Sequence, residues 1–458
     1  LTTGGNNVAI GSGALLVATT AADNTAVGTL ALTANSSGTD NTVVGYAAGD
    51  AVTTGDANTF VGDNAGGATT TADNNTAVGA SALLVNSTGA GITAVGKGAL
   101  DANTTASNST AIGVDALGAN TTGDENTAVG SNALLTITTG GASTAVGRNA
   151  LKVATVGDNT AVGANALAAN TTGTTNTAVG TNALDANTTA SYNTAVGYAA
   201  LGANTTGSGN TAVGKDAMKA VTTATDGVAV GWAALDACTT GVSNSAVGYN
   251  ALGAVTTGGS NTAMGFVALQ LATGTGNVAI GANSSDALTT GATNTSVGTG
   301  SLGACTTGGN NTAIGSSALA ANTTASGNVA VGWDSLLSNT TGTGHTAVGY
   351  QALATVTTVN DNTAVGYQAL TANTTGVNNV AVGFKSMLVS TTASMNTAIG
   401  MFTLDALTTG ASNTSVGYAS LSALTTGGSN VAVGAGALNV NTTGEDNIGI
   451  GYYALATN

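Results

Sequence analysis

Residues that commonly perform catalysis are scarce in this sequence. His345 is the only histidine, and Cys238 and Cys305 are the only cysteines among 458 residues. Catalysis by His345 would need a nucleophile or a second acid–base group beside it, and no recurring neighbour supplies one. The 21 acidic residues are scattered, many of them at turn-like positions such as Asp158 and Asp361, without the paired carboxylates of a glycosidase. The sequence therefore predicts a protein that is not an enzyme.

Aromatic residues form a second chemically distinctive set, because 11 of the 15 recur at one spacing. Each follows a glycine that returns about every 17 residues, at a position that elsewhere holds Ser, Thr, Asp, Lys or Arg and should therefore be exposed. Exposed rings in a row can stack on sugars or contact a protein; alternatively, they shield the edge of the scaffold and stabilise it. The candidates for glycan or receptor contact are Trp232, Tyr249, Phe266, Trp333, Tyr350, Tyr367, Phe384 and Tyr418.

This spacing reflects an internal repeat that covers the whole chain. The glycine of Asn-Thr-Ala-Val-Gly recurs from Gly11 to Gly451 in 27 copies, 17 residues apart except for two steps of 16. Both short steps lose a residue in the Thr-Thr-Gly segment, where a loop can absorb the deletion. We number each repeat from this glycine as position 0, so that the aromatics occupy position 1, and we call a set of equivalent positions a lane.

The period predicts an all-β fold, a parallel β-solenoid of 27 coils with a 17-residue repeat. Helix-turn-helix repeats need about 33 residues or more, and the recurring glycine opposes long helices. We expect Thr-Ala-Val to form one strand, Ala-Leu-x-Ala/Val at positions 3 to 6 to form a second, and Thr-Thr-Gly with the next Asn to form turns. At a strand spacing of about 4.8 Å, such a stack would extend for about 130 Å.

Residues 1–458 are expected to form a single continuous array. Leu1 and Asn458 both fall at position 7, in mid-repeat, and neither end carries an atypical capping repeat of the kind that terminates most solenoids. We therefore expect this array to be a segment of a longer chain, or an array whose capping repeats are absent.

Substitutions within a lane indicate its environment. Position 16 is Val or Ile in every repeat except at Met264, and position 4 is Leu in 22 repeats; we expect these lanes, represented by Val196 and Leu201, to form the core.

Position 15 is Ala in 22 repeats, so the strand is restricted on both faces. Because successive strand residues face opposite sides, one face should line the coil and the other should contact a partner, most simply in a homotrimer. Tight packing between strands is the alternative explanation.

Position 7 alternates between Asn and apolar residues, and many of its asparagines lie in Asn-x-Ser/Thr triplets such as Asn103-Thr104-Thr105. An inward ladder of Asn side chains is favoured over N-glycosylation, because the lane also accepts Val, Ile, Leu and Cys. Cys238 and Cys305 share this lane four coils apart, too far for a disulfide between them. They are expected to be small core residues, or each to meet its own copy across a threefold axis.

Position 13, with Asn193 as a typical member, is Asn in 22 repeats, and His345 replaces it in one. We interpret this lane as a turn, followed by the strand and the coil corner at Gly197.

The formal net charge of −15 rests on 21 acidic and six basic residues, which disfavours nucleic acid as a partner. No apolar run approaches the roughly 20 residues of a membrane span, so we expect no membrane insertion in this segment. Calcium-binding solenoids place aspartate in every coil, whereas the aspartates here are sporadic. The sequence predicts no cofactor and no metal site.

The unit Asn193-Thr194-Ala195-Val196-Gly197-Tyr198-Ala199-Ala200-Leu201 resembles the head repeats of trimeric autotransporter adhesins and related repeats of bacteriophage tail fibres. The resemblance spans the whole chain and rests on the core Asn-x-Val/Ala-Val/Ile-Gly. It implies a left-handed β-roll, three chains side by side and attachment to a host surface. This sequence departs from the pattern in its longer period and in its Thr-Thr-Gly turn.

We expect one of three functions, and the adhesive part of the first is implied by the resemblance alone. The first is a structural and adhesive fibre, such as a tail-fibre shaft or a cell-surface adhesin, located outside the cell or on a virion, with itself and a host-surface glycan or protein as partners. The second is a purely architectural extracellular filament or surface-layer component. The third is an ice-binding solenoid, which is disfavoured because the adjacent residues of Thr-Thr would face opposite ways in a strand.

Overall fold

The chain is an all-β protein whose parallel strands stack as a β-solenoid with a repeat of about 17 residues, as the sequence predicts. A computed structural model describes residues 3–457, and in that range it contains 27 strands of three residues and no helix. Leu1 and Asn458, the mid-repeat ends, lie outside the described residues. Two compact units are present, unit 1 (Leu1–Gly227) and unit 2 (Val228–Asn458).

Each strand is the Thr-Ala-Val segment that precedes the repeat glycine. Unit 1 contains β1–β13, at Val8–Ile10, Thr25–Val27, Thr42–Val44, Thr59–Val61, Thr76–Val78, Thr93–Val95, Thr110–Ile112, Thr127–Val129, Thr144–Val146, Thr160–Val162, Thr177–Val179, Thr194–Val196 and Thr211–Val213. Unit 2 contains β14–β27, at Val228–Val230, Ser245–Val247, Thr262–Met264, Val278–Ile280, Thr295–Val297, Thr312–Ile314, Val329–Val331, Thr346–Val348, Thr363–Val365, Val380–Val382, Thr397–Ile399, Thr414–Val416, Val431–Val433 and Ile448–Ile450.

Within each unit the strands pair in parallel and in register, so that members of one lane are direct neighbours. Thr177 pairs with Thr194 across a 17-residue step, and the 16-residue steps keep the same register, with Thr144 opposite Thr160 and Thr262 opposite Val278. A deletion in the turn therefore leaves the strand lanes aligned.

The valine lane at position 16 faces outward, although the sequence predicts that it faces the coil interior. Ala195 is fully buried, whereas Val196 is 36% exposed, and the same alternation recurs in nearly every strand. The buried Leu lane at position 4 fills much of the narrow coil interior, which in most coils leaves room for little more than a methyl group at position 15. The prediction that position 16 forms core is wrong, and the prediction for position 4 is confirmed, with Leu201 fully buried.

The predicted second strand at positions 3 to 6 is absent from the described residues; this segment is a series of turns. Leu184 and Leu201 at position 4 have φ of +50° and +52°, and the residue at position 2 is also left-handed in nearly every coil. Hydrogen bonds still join the coils here, since Leu184 N–H donates to Ala200 O over 3.0 Å. The left-handed conformation costs a leucine about 1–2 kcal/mol, which its complete burial, worth about 1.5–3 kcal/mol, offsets.

The repeat glycine is required by a close approach of the backbones. Gly197 has φ of +135°, and a Cβ at this residue would lie 2.4 Å from Gly214 O in the next coil. Any side chain would therefore push two coils apart as well as strain the backbone.

Position 13, interpreted from the sequence as a turn, forms a buried asparagine ladder directly before the strand. The Asn193 backbone N–H donates to Asn176 Oδ1 (3.0 Å), and Asn193 Nδ2 donates both to Asn176 Oδ1 (3.3 Å) and to Gly207 O (3.0 Å). Each side chain thereby ties three coils together and satisfies backbone groups that would otherwise be unpaired in the interior.

The second ladder, at position 7, confirms the inward orientation expected for its asparagines. Asn103 is fully buried; its Nδ2 donates to Asn86 Oδ1 (2.9 Å) and to Ala106 O (3.1 Å). Asn103 is therefore inaccessible to glycosylation in the folded chain. Cys238 and Cys305 occupy the same lane as buried free thiols, which confirms their placement in the core, and burial raises the pKa of Cys305 to about 11.

Candidate functional site

The strand face is the first candidate surface, and we define it as the outward side chains at positions 14 and 16. These 54 positions hold Thr, Ser, Val, Ile and one Met, with no charged residue. The position-16 side chains are half-buried to exposed throughout both units, and those at position 14 are mostly half-buried. Every coil therefore contributes two uncharged side chains to this face, and the face repeats regularly from coil to coil.

The strand face differs between the two units. Position 14 is Thr in 12 consecutive coils of unit 1, from Thr25 to Thr211. In unit 2 the same lane is interrupted by valine or isoleucine, at Val228, Val278, Val329, Val380, Val431 and Ile448.

The aromatic lane at position 1 is the second candidate surface, and its predicted members in unit 2 form two runs of touching rings. Trp232, Tyr249 and Phe266 form the shorter run, with ring centroids 5.2 and 5.4 Å apart. In the longer run Trp333, Tyr350, Tyr367 and Phe384 stack nearly parallel at 4.9, 4.9 and 5.3 Å. Their exposed fractions, such as 46% for Trp333 and 37% for Tyr350, agree with a surface lane.

Phe402, which lies at position 2 rather than position 1, joins the longer run and was missed by sequence reasoning. Its ring contacts Phe384 edge-on at 5.4 Å and Tyr418 at 6.4 Å. It thereby bridges the coil in which position 1 is Met401. An aromatic residue directly after position 1 was the signal available in the sequence.

Stacking decides which part of the aromatic lane a ligand could reach. Both faces of Tyr350 and of Tyr367 are covered by neighbouring rings, with centroids 4.9 to 5.3 Å apart, so they cannot also stack on sugars. These rings offer their edges to a partner. Open ring faces can occur only where the lane neighbour is small, as at Trp333 beside Ser316.

His345 lies inside the asparagine ladder and reproduces the hydrogen bonds of the residue it replaces. Its Nδ1 accepts from the Asn362 backbone N–H (3.2 Å), and its Nε2 is 2.7 Å from Val359 O. Because Val359 O can only accept, the ring is the neutral Nε2–H tautomer. Burial lowers the pKa of His345, and the contacts with Val359, Asn362 and Asp361 offset only part of that effect. The interpretation of His345 as a structural residue agrees with this geometry.

Neither a metal-ligand cluster nor a membrane-spanning helix occurs within residues 3–457. No group of three or more His, Cys, Asp or Glu side chains in that range is placed to hold a metal ion. Over the same part of the chain, no helix is both long enough and apolar enough to cross a membrane.

No family model matches the chain, and no curated protein matches it.

Proposed function

We propose that this chain is a non-enzymatic structural and adhesive fibre segment that associates side by side with copies of itself outside the cell or on a virion. The observation that carries the proposal is the strand face, where every coil presents an uncharged pair of side chains, of which the one at position 16 is always apolar. The resemblance to trimeric adhesin heads makes three chains the expected number. The aromatic lane then provides a contact surface that the scaffold displays.

The size of the strand face supports association over many coils. Fully burying a Val or Ile side chain is worth about 1.5–3 kcal/mol, so covering an exposed third contributes roughly 0.5–1 kcal/mol per coil. The 13 coils of unit 1 would supply roughly 6–13 kcal/mol, which is comparable to an association cost of about 4–15 kcal/mol. Two or three coils would supply too little, so association requires contact along many coils.

A second copy of the chain is the partner that this face fits best. Its side chains repeat at the strand spacing of about 4.8 Å, and only a surface with the same spacing stays in step over many coils. A net charge of −15 makes copies repel one another, and the repulsion is least where the uncharged strand faces meet.

Light scattering of the purified chain tests the association. We expect a trimer mass for the wild type and a monomer mass for Ile112→Asp combined with Val179→Asp, because each introduced carboxylate would be buried without a partner. The matched control is Thr29→Asp with Thr181→Asp, at position 1, where the array already accepts Asp63; this variant should remain a trimer. A folded wild-type monomer would contradict the proposal.

Ice binding is a second candidate, favoured by one observation in unit 1. The outward residues of the strand are Thr at position 14 and Val at position 16, so the threonines from Thr25 to Thr211 lie on one regular face. The adjacent Thr-Thr pairs that disfavoured this function belong to the turn instead. Thermal hysteresis separates the candidates, since a fibre segment without hysteresis or faceted ice crystals is not an ice-binding protein.

A further inference from the structure

Position 5 carries a paired substitution that the fold and the proposed fibre do not require. Glycine occurs in this lane five times, and each time the preceding coil has aspartate at the same position. The pairs are Asp50 and Gly67, Asp101 and Gly118, Asp185 and Gly202, Asp236 and Gly253, and Asp286 and Gly303. Since neighbouring lane members are adjacent in space, each pair sets a carboxylate beside a missing side chain.

The pair at Gly202 opens a cavity of about 330 Å³. A Cβ on Gly202 would lie 3.2 Å from Ala199 O and 3.4 Å from Asp185 Oδ1, so the aspartate and the Ala199 carbonyl border the space that the glycine leaves empty. Asn182 and Tyr198 form further walls, and Lys219 lies at position 5 of the next coil. This volume accommodates one monosaccharide unit.

Tyr198 gives this cavity an aromatic wall that differs from the rings of unit 2. Its side chain is 51% exposed, and it takes part in none of the ring-to-ring contacts found among residues 3–457. The preceding member of its lane is the small Thr181. A sugar could therefore stack on this ring, which the rings of the longer run do not permit.

The other Asp–Gly pairs lack this combination. At Gly253 the space is occupied, because a Cβ there would lie 2.0 Å from Asn250 Oδ1, and the ring of Tyr249 is contacted on both sides by neighbouring rings. The coils of Gly67, Gly118 and Gly303 have the non-aromatic residues Asp63, Val114 and Thr299 at position 1.

We propose that the cavity between Asp185, Tyr198 and Gly202 binds a neutral hexose or N-acetylhexosamine unit of a glycan. Tyr198 would lie against the apolar face of the sugar, the Asp185 carboxylate would accept hydrogen bonds from two hydroxyls, and the Asn182 amide would donate and accept. Lys219 Nζ lies 3.2 Å from Asp216 Oδ1, and the Asp185 carboxylate borders the cavity, so an anionic sugar would be repelled by Asp185 and would find Lys219 already paired. This site deepens the adhesive part of the proposed function.

Saturation-transfer NMR tests the site with four probes: methyl glucoside, methyl galactoside, methyl N-acetylglucosaminide and N-acetylneuraminic acid. We expect at least one neutral probe to bind the wild type and N-acetylneuraminic acid to bind at least tenfold more weakly. Gly202→Leu should reduce the affinity at least tenfold by filling the cavity, and the array already accepts leucine in this lane at Leu84 and Leu135. Gly118→Leu is the matched control and should bind as the wild type does.

Tyr198→Ser provides a second variant that adds no volume, and serine occupies the same lane at Ser131. It should also lose at least tenfold in affinity, whether or not Gly202→Leu folds normally. The proposal is overturned if no neutral probe binds the wild type, if Tyr198→Ser binds as well as the wild type, or if Gly118→Leu loses binding equally. Side-by-side association can fail independently, because the Ile112→Asp and Val179→Asp variant should become monomeric while retaining sugar binding.

Discussion

Unit 1 and unit 2 share one coil but differ in which lanes vary. Position 3, buried in nearly all coils, is Ala in all 13 coils of unit 1, whereas six of the 14 coils of unit 2 have Ser or Thr there. Nine of the 11 position-1 aromatics lie in unit 2, and five of the six basic residues lie in unit 1. The two units therefore have the same backbone fold, while the residues in each lane determine which side chains each unit buries or exposes.

The two units also accommodate buried exceptions by different means. In unit 1, Phe60 replaces an alanine of position 15, and the neighbouring position-4 leucines are replaced by Gly49 and Gly66, whose Cβ atoms would lie 2.9 and 2.7 Å from the ring. In unit 2, Ser285 replaces a leucine and hydrogen-bonds to Ser296 over 2.8 Å. In both units, therefore, the buried exceptions are accompanied by compensating residues in contact with them.

The largest expected effect comes from breaking the compensation in unit 1. Phe60→Ala should lower stability by about 3–5 kcal/mol, because a fully buried ring is replaced by a cavity. Adding Gly49→Leu and Gly66→Leu should recover most of the loss, since both glycines already have the positive φ (+54° and +62°) that leucine adopts in this lane. Hydrogen exchange of the surrounding strand amides measures both changes. A triple variant no more stable than Phe60→Ala would contradict compensation.

A smaller effect should distinguish the units by pH, because the histidine lies in unit 2. The folded-state pKa of His345 is lowered, so the folded chain binds fewer protons than the unfolded chain. Its contribution is therefore complete above the ordinary pKa of 6.5 and is lost as the pH falls below that value. Stability should therefore fall as the pH is lowered from 7 to 5.

Hydrogen-exchange rates of the backbone amides, measured at pH 7 and at pH 5, test this difference. Exchange in β21 and β22 of unit 2 should respond to pH more strongly than exchange in β5 and β6 of unit 1. His345→Asn restores the usual residue of the lane and should abolish the pH dependence in unit 2. An unchanged pH dependence in His345→Asn would assign it to another group.

The smallest effect concerns the aromatic lane. Tyr350→Ser removes two stacked contacts in unit 2 and should cost about 1 kcal/mol, whereas Tyr46→Ser removes an isolated ring of unit 1 and should cost less. Thermal unfolding of the two variants makes the comparison. Equal losses would show that the runs of rings do not stabilise their scaffold.

Much of this fold could be predicted from the sequence because the repeat provides its own comparison set. The strand, the coil glycine, the leucine core and the Asn ladder at position 7 all follow from lane composition. The alternation of residues along a strand shows which of them share a face but not which face points inward. The sequence therefore predicts an inward Val196 and an outward Ala195, the opposite of the structure. The left-handed turn at Leu201 could not be predicted, since leucine rarely adopts that conformation.

The candidate surfaces were predictable to different degrees. The exposure of the aromatic lane could be predicted from the charged residues that share it. The ring stacking that covers Tyr350 and Tyr367 could not, because it depends on the three-dimensional arrangement of the side chains. The cavity at Gly202 had a sequence signal in the Asp–Gly pairing, yet only the position of Tyr198 and the open ring distinguish it from the other four pairs.

The retained register across 16-residue steps has a consequence for how such a chain can change over time. Because Thr144 stays opposite Thr160 and Thr262 stays opposite Val278 despite a lost residue, an error within a turn does not propagate to later coils. Gain or loss of an entire coil should disturb the remaining coils even less. The number of coils, and with it the length of the array, can therefore change without affecting the coil in which a binding residue arises.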